Sequence, residues 1–223
     1  GDRGIVEAEL GMNPAGLVAE LFGPEAFARM SASDRDVVHA LCERQMRLVQ
    51  ETAKFQLARG VGPFFAMLCR EYATPPLLDP ADFHEFSVKY DKPILDLIHD
   101  AGGRVHIHSP GRVKAVFKGF LDMGADVLHP FEAPPAGDIT AAEAKALARG
   151  RMTLEGNLQV AHMYERTGEQ VREETLALIK DCFDDRRGLI VSPTASPCIR
   201  GAGRLCLAQY RAMIEAVTGK PAD

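Results

Sequence analysis

The chain has 223 residues, 26 basic and 31 acidic side chains, a formal charge of -5 and 46% hydrophobic residues, the makeup of a globular domain with length for a sizeable core. Both signs of charge are interspersed, so no basic face is offered to nucleic acid, and no apolar run reaches the roughly 18 residues that span a bilayer. Five cysteines without a CxxC pair argue against a disulfide framework and for a reducing, cytoplasmic setting.

Residues 4–10, GIVEAEL, alternate as a strand does, with Glu7 and Glu9 on one face. Two carboxylates inside a fold need arginines, a metal or water, or else an exposed edge. Asn13-Pro14 starts a short helix that Gly23-Pro24 stops. Ser33 is placed to cap a long helix in which Val38, Leu41, Leu48, Val49 and Phe55 recur at helical spacing, closed by Gly60. Residues 61–68 read as a strand buried on both faces. Asp79-Pro80 opens the next helix, with Phe83, Phe86 and Tyr90 on one side and Pro93 as a kink or a restart. Strand 104–108, helix 112–123, strand 126–131, helix 140–149 and strand 151–156 follow. A helix opened by the capping box Thr167-x-x-Gln170, strand 189–192 and helix 203–217 complete the chain.

Strand and helix alternating through short joints predict one α/β domain over residues 1–223, of (β/α)8 TIM-barrel type. No Gly-rich dinucleotide fingerprint follows the first strand, which sets aside the doubly wound open sheet. About six strand–helix units are legible where a closed barrel has eight. The sequence opens on Gly1 in what reads as a strand, so the expectation is a barrel that lacks its first two units.

In a parallel barrel the strand C-terminal ends carry the active face. Here they read His106-Ile107-His108-Ser109-Pro110, Leu128-His129-Pro130-Phe131-Glu132, Leu154-Glu155-Gly156-Asn157, and Ser192 through Cys198. His106 and His108 share a face about 7 Å apart along the backbone, close enough for one metal with a third ligand from a neighbouring end. The alternative is a pair of core histidines bonded to backbone, Glu132 or Glu155. His129 reads as a general acid or base, or as a steadying partner for a ligand. Glu132 sits in a Pro-rich turn at the rim; Glu155 is a catalytic carboxylate or one paired with an arginine. Gly156 and Asn157 are candidates for contact with substrate, because glycine permits close backbone approach. Cys198 is either a thiolate ligand or an inert buried thiol.

These residues resemble the uroporphyrinogen decarboxylase superfamily, which includes the cobalamin-dependent methyltransferases. The resemblance is carried by Pro75-Pro76-x-x-Asp79-Pro80-x-x-Phe83 and Ile98-His99-x-x-Gly102-Gly103-x-Val105-x-Ile107-His108. It continues through Gly124-Ala125-Asp126-Val127-Leu128, Leu154-Glu155-Gly156-Asn157, Gly168-Glu169-Gln170-Val171 and Gly188-Leu189-Ile190-Val191-Ser192-Pro193. It implies a (β/α)8 barrel, of which this chain resembles the later two-thirds. True decarboxylases of the family need no cofactor and carry a late Gly-His-Gly, where this chain has Ser192-Pro193-Thr194-Ala195-Ser196. The methyltransferases hold zinc with His-x-Cys after the fifth strand and a second Cys after the last. The first motif matches here as His106-x-His108; the second cysteine position falls on Ala195, three residues before Cys198.

The resemblance therefore implies a His2Cys metal site and methyl transfer linked to a corrinoid cofactor or corrinoid protein, with a small-molecule substrate and an open edge that invites self-association. The rival expectations are uroporphyrinogen decarboxylation itself, and a non-turning-over module that binds a tetrapyrrole or corrinoid. Neither nucleic acid nor a membrane is an expected partner.

Overall fold

The structure is a computed structural model that describes residues 4–68, 71–197 and 200–222. It is an α/β fold of the TIM-barrel kind, with six strands among the described residues alternating with helices and a sheet order that follows the chain, β1-β2-β3-β4-β5-β6. The chain divides into two compact units, Gly1–Leu128 and His129–Asp223.

The first unit runs β1 (Ala8–Met12), α1 (Pro14–Phe22), α2 (Pro24–Ser33), α3 (Arg35–Leu57), β2 (Phe64–Leu68), α4 (Pro80–Phe83), a π-turn (His84–Val88), α5 (Lys89–Asp100), β3 (Arg104–His108) and α6 (Phe117–Met123). β1, β2 and β3 pair in parallel, with Phe65 opposite Val105, Ala66 opposite His106 and Met67 opposite Ile107. Phe65, Met67, Val105 and Ile107 are wholly buried on one face of this sheet. At about 1.5–3 kcal/mol for each large apolar side chain, that face drives its assembly. The alternation leaves Ala66, His106 and His108 on the opposite, less buried face.

Asn13, fully buried, ties the first loop to the helical layer. Its Oδ1 accepts from the Gly16 amide at 3.0 Å and caps α1, while Nδ2 donates to both Asp91 carboxylate oxygens at 3.2 and 3.3 Å. Ser87 Oγ donates to the same carboxylate at 2.7 Å. At the other end of the sheet Asp126 anchors β3: Oδ2 accepts from the Val105 amide and from His99 Nε2, both at 2.8 Å.

Several boundaries differ from expectation. The first strand starts at Ala8 rather than residue 4, and the fourth, β4, is only Val127–His129. Gly23-Pro24 ends one helix and opens another, α2, which sequence reading missed. Ser33 closes α2 instead of capping α3, because its hydroxyl bonds the Arg29 carbonyl at 3.1 Å and Asp34 Oδ2 at 2.6 Å. Within α3 the buried stripe is Val38, Cys42, Val49 and Ala53, whereas Leu48 and Phe55 are exposed. Pro93 neither breaks nor restarts the helix; α5 runs through it, and the irregularity lies upstream, where the Lys89 amide reaches the His84 carbonyl. That π-turn is clasped from α3: Arg35 bonds Asp82 and Glu85, and His39 Nε2 meets Glu85 Oε1 at 2.7 Å. The Arg35 hydrogen bond holds the Glu85 carboxyl below its ordinary range.

The second unit carries α7 (Ala141–Ala148), β5 (Thr153–Leu158), α8 (His162–Glu165), α9 (Gly168–Cys182), β6 (Leu189–Pro193) and α10 (Leu207–Thr218). Leu158, Met163, Val171, Cys206 and Met213 form a buried cluster beneath β5 and β6. The expected capping box is present at Thr167 and Gln170, and a second one, Thr140 with Glu143, starts α7.

Candidate functional site

In the first unit the site residues come from β3. Gly102-Gly103 stops α5 and Ser109-Pro110 stops the strand, so five extended residues place His106 and His108 on one face. His106 is only 14% exposed at its side chain, and its Nδ1 lies 2.9 Å from Glu7 Oε2 and 3.2 Å from Oε1. Sequence reading saw that the Glu7 carboxylate needed a partner but did not foresee this one. The signal was present in the alternation: Glu7, two residues before Glu9, lies on the face that Ala66 and His106 continue strand by strand.

In the second unit the ends of β4, β5 and β6 are stitched together. His129 Nε2 lies 3.0 Å from the Pro193 carbonyl oxygen. A carbonyl only accepts, so Nε2 carries the hydrogen and the neutral ring keeps its lone pair on Nδ1. A ring nitrogen of His129, at the end of β4, and a carboxylate oxygen of Glu155, within β5, lie within 4.8 Å of each other. Asn157 Nδ2 donates to the Phe131 carbonyl at 2.5 Å. Gly156, at φ 145°, presents no side chain to the Phe131 ring, which would stand 3.3 Å from a Cβ there. The close approach that glycine permits is thus made by Phe131, whose position Asn157 also holds. Thr194 completes the stitching: its hydroxyl accepts from the Val160 amide at 3.1 Å, and its own amide donates to the Leu158 carbonyl at 2.7 Å.

Glu132 is buried at 9% exposure, and its carbonyl accepts from the Ile139 amide at 3.2 Å. Gly137 makes this possible, because a Cβ at that position would lie 2.1 Å from the Glu132 carbonyl oxygen. The Pro-rich turn is therefore folded tightly back on the glutamate. Cys198, the expected thiolate ligand, lies outside the described residues. Cys42 and Cys182 are buried in helices, and burial pushes their thiols up to about 12 and about 11, the opposite of a metal-ligating thiolate.

The family model for Uroporphyrinogen decarboxylase (URO-D) matches residues 12–218. Among solved structures, a methyltransferase from Methanosarcina mazei is similar in fold, with a TM-score of 0.72 and 16% identity over 97% of this chain. The chain spans 61% of that protein's length. No curated protein matches it. No helix among the described residues is long and apolar enough to cross a membrane.

Proposed function

Because this chain belongs to the uroporphyrinogen decarboxylase (URO-D) family, we propose that it serves a metal-assisted methyltransferase that works with a corrinoid, free or carried by a partner protein. His129 and Glu155, carried by β4 and β5, are proposed ligands of a divalent ion such as zinc, and the resemblance adds His106, His108 and Cys198 as candidate donors. Imidazole and carboxylate both belong to the donor sets of catalytic zinc sites that keep one position open. His129 and Glu155 support the fit, since ligand atoms within 4.8 Å of each other can share one ion. A bound ion left at a formal +1 by imidazoles and a single anionic donor suits polarising an oxygen, as on a methoxylated substrate, better than keeping a thiolate nucleophilic.

The chain's own groups do the rest. Pro193 holds His129 in one tautomer, and Glu132, pinned in its turn, holds or delivers a proton at its carboxyl. Asn157 and Gly156, the proposed substrate contacts, sit on β5 over the buried Phe131 ring that they hold in place. The observation that carries this reading is the pair of metal-type donors on successive strands, one with its ring fixed by an acceptor-only partner.

Metal analysis of protein purified without chelators tests it. About one equivalent of a divalent ion is expected, and His106→Ala, His129→Ala and Glu155→Ala should each lose it. Unchanged content in all three variants overturns the site. The description of the matching family model favours a second reading, decarboxylation of uroporphyrinogen. Release of CO2 from that substrate by metal-free protein would establish it in place of methyl transfer.

A further inference from the structure

Both carboxylate oxygens of Glu7 face a single ring nitrogen of His106, at 2.9 and 3.2 Å from Nδ1. Glu7 precedes β1, and His106 lies on β3, with β2 between them. The residue of β2 in register with His106 is Ala66, small enough for two longer side chains to meet over it. The glutamate end of the pair is the wetter one, at 37% side-chain exposure against 14% for the imidazole.

We propose that Glu7 is a positioning residue for His106: it holds the ring as the Nδ1–H tautomer and so turns the Nε2 lone pair toward the proposed metal. This rests on the metal reading above. The physical reason is simple. An ionised carboxylate accepts and never donates, so the nitrogen it touches carries the hydrogen and the other nitrogen of the neutral ring becomes the ligand atom. A carboxylate behind a ligating histidine also makes that histidine more basic and fixes the plane of its ring. The pair therefore sets both which atom binds and where it points, before any ion arrives.

The test uses the whole chain. Long-range 15N–1H correlation spectra of the metal-free protein near pH 8.5, about two units above the ordinary histidine value, read the tautomer of His106 directly. The wild type should show Nδ1 protonated and Nε2 unprotonated. Glu7→Ala should lose that bias, and Glu7→Gln, which keeps an acceptor oxygen, should largely retain it. Zinc affinity, measured by competition with a chromophoric chelator, should fall about 10- to 100-fold in Glu7→Ala. It should recover in part in Glu7→Gln. A His106 tautomer that is the same in the wild type and Glu7→Ala overturns the positioning role, whether or not zinc binds. A tautomer that follows Glu7 in a protein that binds no zinc sustains the role and refutes the metal reading instead.

Discussion

Replacing Asp126 by alanine should loosen the root of the strand that carries His106. Asp126 Oδ2 takes the Val105 amide and the His99 ring nitrogen, each at 2.8 Å. Val105 is fully buried, so its amide would lose its acceptor away from water, at a cost of about 1–3 kcal/mol. His99 and Asp126 keep 28% and 24% side-chain exposure, so water replaces much of that bond and the added loss is about 0.5 kcal/mol. Arg104, 3.4 Å away and more than half exposed, adds nothing measurable. The sum is about 1.5–3.5 kcal/mol for Asp126→Ala, against about 1 kcal/mol for Asp126→Asn, which retains an acceptor oxygen. Urea unfolding followed by circular dichroism reads this as a midpoint lowered by roughly 1 M at unchanged slope. An alanine variant within about 0.5 kcal/mol of wild type, or an asparagine variant as unstable as the alanine one, would refute the reasoning.

Gly137→Ala should cost about 3 kcal/mol or more, since its Cβ meets backbone that cannot swing aside; a thermal midpoint lowered by roughly 6–12 °C is the expected reading, and one within about 2 °C contradicts it. Lys145→Met removes an ammonium that bonds Asp185 Oδ1 and the Arg187 carbonyl, both at 2.7 Å. The Lys145 hydrogen bond is the main reason that the Asp185 carboxyl sits below its ordinary range when folded. A folded value below the unfolded one adds stability above about pH 4 that is lost as pH falls through the folded value. The stability gap between wild type and Lys145→Met should accordingly narrow from pH 5 downward, and a gap constant with pH speaks against the pair. Cys42 and Cys182, with thiols near 12 and 11, should resist iodoacetamide at pH 8 until the protein is unfolded, as mass spectrometry of labelled peptides will show. Their alkylation within minutes in the native state would count against that burial.

β3 was legible to the residue because glycines fence it on one side and Ser-Pro on the other, and both signals act locally. The capping box at Thr167 was legible for the same reason. What local pattern could not supply was competition between partners. Ser33 has the chemistry of a cap, but its hydroxyl finds a carbonyl one turn back, and Asp34 stands at the start of α3. The buried stripe of α3 runs through Cys42 and Ala53, so reading by size and hydropathy chose Leu48 and Phe55 and missed it. Of the candidate site residues, His129 ends β4 as expected, whereas His106 and Glu155 are each third in their strands, because β5 runs on to Leu158. Glu7 and His106 are 99 positions apart, and Pro193 and His129 are 64 apart, so those pairings became visible only once register was known.

The wide turn at His84–Val88 acts as an angular setting for everything after it. One surplus residue per turn rotates the following helix by about 100° relative to an uninterrupted α-helix. Deleting a single residue there would let the helix rewind. Ile94, Leu95 and Ile98 would then swing away from the interior, and His99 would turn off the carboxylate it meets at 2.8 Å. Length in this segment is thus under tighter constraint than composition, and a shortened chain would misaim α5 even with every other side chain unaltered.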